Sequence, residues 1–415
     1  MPDDTAGAAA PADGGHGLRA ATLDWLEFER QRAEDPRAYF SRLRAKCPVD
    51  YDEGHEGWIQ ILRRAEIDEV LRNPEVFSNL IPELMSSPLP AIPMGVDPPD
   101  HAKYRRILDP LFSPRRMAAL EAEVVANTVA TIESFLDRGS CDFATDLAVP
   151  LPCSVFLTLF GLPQSELPGL LHMKDALIRP ESLTDDPDEK LRIQTEAGTQ
   201  VFTLFGTVLA QRRAEPRDDL ITELLKAEIE GRPLTEPELL GICFMLMMAG
   251  LDTVTISLTC ILAYLLEHPE ARQRIVADPE TIPAIVEELL RWETPVMAVP
   301  RIVTRDTEVA GCPVRKGEMV HVMLASGNLD PDADPRAGVV DLDRADKRHL
   351  AFGGGPHRCL GSHLARMELR TVLREWHRLI PEYSLAPGAS ITWNGSTLRG
   401  LDSLALTWPT DAGQA

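Results

Sequence analysis

Apolar positions along the chain fall mostly at helical spacing. The stretch 113–139 opens with Ser-Pro and closes with Gly, the start and stop signals of one long helix. Further helices are predicted at 191–213, 235–267, 281–292 and 361–380. The last puts Ala365, Leu369, Val372, Trp376 and Leu379 on one face, and Pro381 ends it because proline cannot extend the helical hydrogen-bond ladder. β-Prone runs are fewer and shorter: 57–62, 299–310 and 319–323, with short apolar runs and turns over 383–408. The pattern predicts a mainly α protein with small β-sheets near both ends. One domain is expected over 18–415, after an Ala-, Gly-, Asp- and Pro-rich disordered tail at 1–17.

The run 242–266 carries a single charge, Asp252, and is long enough to cross a bilayer. Against that reading, an aspartate at the bilayer centre costs about 3 kcal/mol. Thr253, Thr255, Ser257 and Thr259 crowd the same turns, and basic flanks are missing. A helix apolar all round is otherwise a core helix. We read it as buried, with a polar notch at its midpoint.

Composition narrows the partners. With 42 Lys and Arg against 64 Asp and Glu, the formal charge is −22. Such a surface repels nucleic acid and anionic membrane. The N-terminus has no positive region leading into an apolar run, so no signal peptide is predicted and a cytoplasmic site is expected. The seven cysteines are scattered and form no CxxC pair, which argues against a disulfide framework or a zinc cage. Six read as small apolar side chains in a reducing compartment.

The seventh, Cys359, sits in FGGGPHRCLGSHLAR, residues 352–366, two residues before the helix at 361–380. Unpaired N–H groups and the positive dipole end at a helix start favour a thiolate over a thiol. Glycines 353, 354, 355 and 361 remove side chains, so that a flat, bulky partner can approach the backbone. A single thiolate on a bare loop suits axial ligation of haem iron. A buried structural cysteine, a nucleophile paired with His357 or His363, and a phosphate loop compete with that reading. The last lacks the Lys-Ser/Thr ending of a P-loop.

Phe352, Gly355, His357, Cys359 and Gly361 resemble, position by position, the haem signature of the cytochrome P-450 family of haem-thiolate monooxygenases. The resemblance runs from about Leu23 to Trp408 and is nearest to soluble bacterial members. It implies that family's fold, with haem b (iron protoporphyrin IX) between the long central helix and the cysteine-loop helix, and Cys359 on the metal. It also implies O2 as co-substrate and electrons from NAD(P)H through a separate ferredoxin or flavodoxin, since no such domain is recognisable here. A monomer is expected. A haem-thiolate sensor or ligand carrier without turnover is the alternative.

Three more constellations agree with the family. In AGLDT, residues 249–253, small Ala249 and Gly250 leave room beside an acid–alcohol pair, Asp252 and Thr253, which the resemblance makes the proton relay. By itself, Thr253 would more simply bond back to a carbonyl of its own helix. Glu288 and Arg291 stand at i and i+3, a spacing that on an exposed helix contributes about 0.2–0.5 kcal/mol. The family buries this pair to brace the cysteine loop. Val339 and Val340 replace the Arg-Phe often found before a DLDR segment, so the third partner is open between Arg336 and a backbone carbonyl. In DPPDHAKYRR, residues 97–106, His101 and Arg105 share a helix face. With Arg301 and His357 they are the candidates for the two haem propionates.

The family's substrate-contact segments fall on Leu84, Met85, Met94, Ile178, Met245, Met248, Val296, Met297, Thr397 and Leu398. These are mostly aliphatic or methionine, which implies a largely apolar organic substrate such as a terpenoid, steroid, fatty acid or polyketide. Lys103, Arg105, Arg106, Arg358 and Arg366 make a candidate basic patch for an acidic redox partner.

Overall fold

The computed structural model describes residues 34–52, 58–81, 89–394 and 398–410. The expected tail at 1–17 and the pocket candidates Leu84, Met85 and Thr397 lie outside them.

The core is arranged around the helix Glu236–Glu267, the central helix. Its start is held by a capping box: the Glu238 N–H donates to the Thr235 hydroxyl, and the Thr235 N–H donates to the Glu238 carboxylate at 2.7 Å. The apolar run that is long enough for a membrane is buried within the chain. Up to Leu251 it packs with Phe156, Phe160 and Phe205. From Val254 onward it packs with Leu289, Leu369 and Trp376. Asp252 therefore stands where two apolar clusters meet.

The cysteine-loop helix, Ser362–Leu379, lies against the helix Pro114–Leu136 and the central helix. Its predicted stripe is the buried one: Leu369, Val372 and Trp376 are fully buried. Trp376 meets the edge of Phe143 at 5.0 Å, and truncating such a buried aromatic costs about 3–5 kcal/mol.

A five-stranded sheet backs the site. Its strands are β1 (Val49–Asp52), β2 (Trp58–Ile61), β3 (Phe77–Ser78), β4 (Val299–Val303) and β5 (Met319–Val322), in the order β1-β2-β5-β4-β3. In β4, Arg301 lies opposite Val320 of β5. The strand expected at 299–310 is two strands. β4 stops at Val303, and Thr307–Val309 turns back on Cys312–Val314. Ala310 and Gly311 both have positive φ, 51° and 78°, the two-residue hairpin geometry that matches strand twist. The C-terminal strands Ser384–Leu385 and Ala405–Thr407 join Ser140–Asp142.

Helix ends differ where capping overrides periodicity. The helix expected from 191 begins at Pro187, because the Asp186 carboxylate accepts from the N–H groups of Asp188 and Glu189. Pro150–Leu159 is apolar all round and Leu167–Ile178 is short, so neither shows a readable helical period.

Candidate active site

The cysteine loop is a set of tight turns. Gly353 and Gly355 have φ of 64° and 65°, where side chains are strained. A Cβ on Gly355 would lie 2.0 Å from the Leu71 carbonyl oxygen, and one on Gly354 would press on the Leu71 side chain. These two glycines thus let the loop sit on the helix Arg64–Arg72 and do not face a flat partner, contrary to the sequence expectation. Gly361 does open onto free space. The Cys359 N–H donates to the Phe352 carbonyl at 2.9 Å, which fixes the residue's direction.

Cys359 keeps accessible surface, yet burial pushes its thiol up. The Gly361 N–H, Arg105, Arg358 and Arg366 pull the other way. The lowered thiol expected from the helix start is therefore overridden by burial in the polypeptide; coordination by a metal deprotonates such a thiol outright.

Beside the loop, the His101 and His357 rings meet at a tilt of 42°, with centroids 4.0 Å apart. Arg301 is buried near them on β4. Burial lowers His101 to about 4 and His357 to about 3, with neighbouring cations adding to it, and burial lowers Arg301 to about 10. Asp97 accepts from the Ser78 hydroxyl and the Asn79 N–H and stays 4.0 Å from His357. The buried Nε2 of His357 has no hydrogen-bond partner. Arg105 is turned to other work, bonding Asp109 at 2.7 Å and the Arg358 carbonyl at 2.8 Å.

On the central helix, Ala249 and Gly250 are exposed amid buried neighbours, and a Cβ on Gly250 would meet nothing within 4 Å. Asp252 is buried and paired: Lys174 Nζ is 3.4 Å from one carboxylate oxygen and Arg179 Nη2 3.0 Å from the other. Arg179 also bonds the exposed Asp402 at 2.7 Å. Nothing in the spacing of Lys174 and Arg179 signals this role; the position of Arg179 just after Ile178 was the available hint. The Thr253 hydroxyl donates back to the Ala249 carbonyl at 3.1 Å, the simpler of its two expected roles.

Glu288 and Arg291 form a bidentate pair at 2.8 and 3.0 Å, both buried. The third partner is Arg344, the arginine of DLDR, at 2.9 Å from Glu288. Arg336 instead points outward to Asp341 at 2.8 Å. Carbonyls fill the remaining donors: Arg291 bonds those of Asn328, Ala337 and Val339, and Val339 also accepts from Arg344. Asn328 in turn accepts the Leu350 N–H at 2.6 Å, two residues before Phe352. The brace thus reaches the cysteine loop. Next to it, Glu287 ties Arg366 of the cysteine-loop helix at 2.7 Å and His349 at 3.1 Å.

Val296 and Leu398 are brought together in one bridge. Met248 and Ile178 are partly buried, Met245 is buried and Met94 is largely exposed. Met297 is a correction: it is fully buried among Tyr39, Phe40, Leu43 and Met323, because residues adjacent in an extended segment face opposite ways. The basic patch also shrinks. Lys103 is taken by Asp100 and Glu230, Arg105 by Asp109 and Arg366 by Glu287, while Arg106 and Arg358 are exposed.

The family profile described as Cytochrome P450 matches residues 96–387. A probable cytochrome P450 127A1 of Sinorhizobium fredii is 35% identical over 365 residues, 87% of this chain and 86% of that protein. A steroid C26-monooxygenase of Mycobacterium tuberculosis is 30% identical over 378 residues, 90% and 93% of the two chains. Among solved structures, a mutant of P450 EryK in complex with erythromycin B superposes with a TM-score of 0.83 at 29% identity, over 93% of this chain and 99% of that one. The chain belongs to the cytochrome P450 family and is a P450 monooxygenase.

That family carries haem and uses dioxygen with reducing equivalents. The side chains present fit the group. One sulfur is accessible on a turn, and beside it stand buried Arg301, buried His101 and His357, whose buried Nε2 is unpartnered. On the unbroken central helix, the small residues Ala249 and Gly250 leave an exposed step. An iron porphyrin would be held by one thiolate and by cationic donors to its two carboxylates, which Cys359 and the Arg301 cluster would supply.

Proposed function

We propose that this monooxygenase holds haem b through Cys359, with Arg301, His101 and His357 receiving the propionates, and oxidises a bulky, mostly apolar molecule of steroid or macrolide type. The carrying observation is the accessible Cys359 sulfur on a loop beside buried Arg301, buried His101 and His357, whose buried Nε2 is unpartnered. Bound haem supplies the dioxygen chemistry that places one oxygen atom on a C–H or C=C bond of the substrate. The polypeptide positions, excludes water and moves protons. Thr253 holds its proton on Ala249 and releases it by rotating about χ1. Arg179 links buried Asp252 to the exposed Asp402, so swinging Arg179 away would let Asp252 exchange a proton with water; the guanidinium itself stays charged. Val296, Leu398, Met245, Met248 and Ile178 give the site an apolar lining, and relatives named for steroid oxidation or crystallised with erythromycin B support the substrate class.

Reduced protein under carbon monoxide is expected to show the red-shifted band of a thiolate-ligated haem, and Cys359→Ala is expected to lose it while still folding. A Cys359→Ala protein that keeps the band would place the ligand elsewhere.

Electrons are proposed to come from NAD(P)H through an acidic iron–sulfur ferredoxin docking near Arg106 and Arg358, the exposed cations beside the loop. Arg106→Glu should slow reduction several-fold at low salt, with the difference shrinking as salt rises. An unchanged rate would remove this face from the docking site.

A further inference from the structure

Two thiols away from the active site stand side by side. Cys47 follows the helix Pro36–Arg44, and Cys312 opens the second strand of the hairpin Thr307–Val314. Their sulfurs are 3.9 Å apart, although 265 positions separate them in the chain. Both are free and partly exposed, whereas Cys141, Cys153, Cys243 and Cys260 are buried with their thiols pushed up by desolvation. Apart from Cys359, these two are the cysteines that a reagent in water can reach.

The segments bearing them are already clamped by an independent bond. The Tyr51 hydroxyl donates to the Pro313 carbonyl at 2.7 Å, joining the strand after Cys47 to the residue after Cys312. A disulfide needs sulfurs at about 2.05 Å, so closure asks for roughly 2 Å of approach, within reach of χ1 rotation in two side chains.

We propose that Cys47 and Cys312 form an oxidation site, a dithiol that small-molecule disulfides of the glutathione class convert into an internal cross-link between the N-terminal segment and the hairpin. In the first step one thiolate attacks a sulfur of oxidised glutathione. The S–S bond of the reagent breaks, a mixed disulfide forms, and one glutathione leaves as thiolate and takes up a proton. In the second step the other protein thiolate attacks the protein sulfur of the mixed disulfide and expels the second glutathione. Two protein thiols are oxidised and one glutathione disulfide is reduced to two thiols. Burial and the neighbouring Cys47 sulfur raise the Cys312 thiol, so the reaction runs faster as pH rises. The product closes a very long loop, the case in which a cross-link restricts the unfolded chain most.

The test treats the full-length holoprotein with oxidised glutathione at mildly alkaline pH, alkylates the remaining thiols and maps peptides without reduction. The expected result is a Cys47–Cys312 peptide pair lighter by two hydrogen atoms than its parts and reversed by dithiothreitol. With it should come a rise in melting temperature of roughly 2–5 °C and an unchanged haem spectrum. In Cys47→Ser, Cys312 should carry glutathione alone and the melting shift should vanish. Recovery of both cysteines alkylated in the wild-type protein, or each bearing its own glutathione with no cross-link, would overturn the proposal.

Discussion

Two buried polar regions flank the cysteine loop, and they are built on opposite principles. In the Glu288–Arg291–Arg344 brace every charge is answered. Burial opposes ionisation of Glu288, but the two guanidiniums and the Asp341 N–H overcome it and hold the carboxyl down. Arg344 is likewise held up despite burial. In the cluster of His101, His357 and Arg301, burial disfavours every charged form and outweighs the pull of Asp97 and Asp109. The first region is complete as folded. The second keeps its histidines neutral and holds one buried cation, Arg301, with no carboxylate among the described residues bonded to it. A buried polar network that closes on itself braces the fold; one left open is a receptor.

The largest effect should come from opening the closed region. Arg291→Ala strands Glu288 and several carbonyls in the core and is expected to cost about 3–5 kcal/mol in denaturant unfolding. Arg301→Ala should do the reverse: the polypeptide should unfold as before, while haem affinity, measured by transfer to a haem scavenger, falls roughly 10–100-fold. Equal losses of stability in the two variants would erase the distinction between them. A smaller effect concerns pH. Burial opposes ionisation of Glu287, but His349 and Arg366 pull its carboxyl down to about 2. A carboxyl depressed in the folded state contributes stability that is present above its unfolded value of about 4.3 and is lost as pH falls toward the folded one. Glu287→Gln should therefore flatten the acid limb of the stability profile between about pH 4 and 2. An acid limb identical to wild type would show that the Glu287 cluster carries no weight.

Helices with caps or long periods were legible in the chain: 235–267 with its Thr-x-x-Glu start, and 361–380 with its stripe and terminal proline. Short, wholly apolar helices were not, because a segment without a polar face has no period to read. The same division runs through the site. Cys359 in its loop, the Asp252–Thr253 pair and the Glu288–Arg291 spacing are local, set by residues within one turn or one helix. Side-chain partners from distant segments were decided only by tertiary packing. Lys174 and Arg179 reach Asp252 across more than seventy positions, and Arg344 takes the place offered to Arg336.

The sequence alone determined the helical frame, the turn that carries Cys359 and the adjacency of Asp252 and Thr253 on the central helix, since each depends on neighbours a few residues away. The tertiary structure decided which charges are answered, that Met297 faces the core, and that Gly355 serves Leu71. Those outcomes depend on which distant atoms share a low-dielectric space, and no local spacing encodes that.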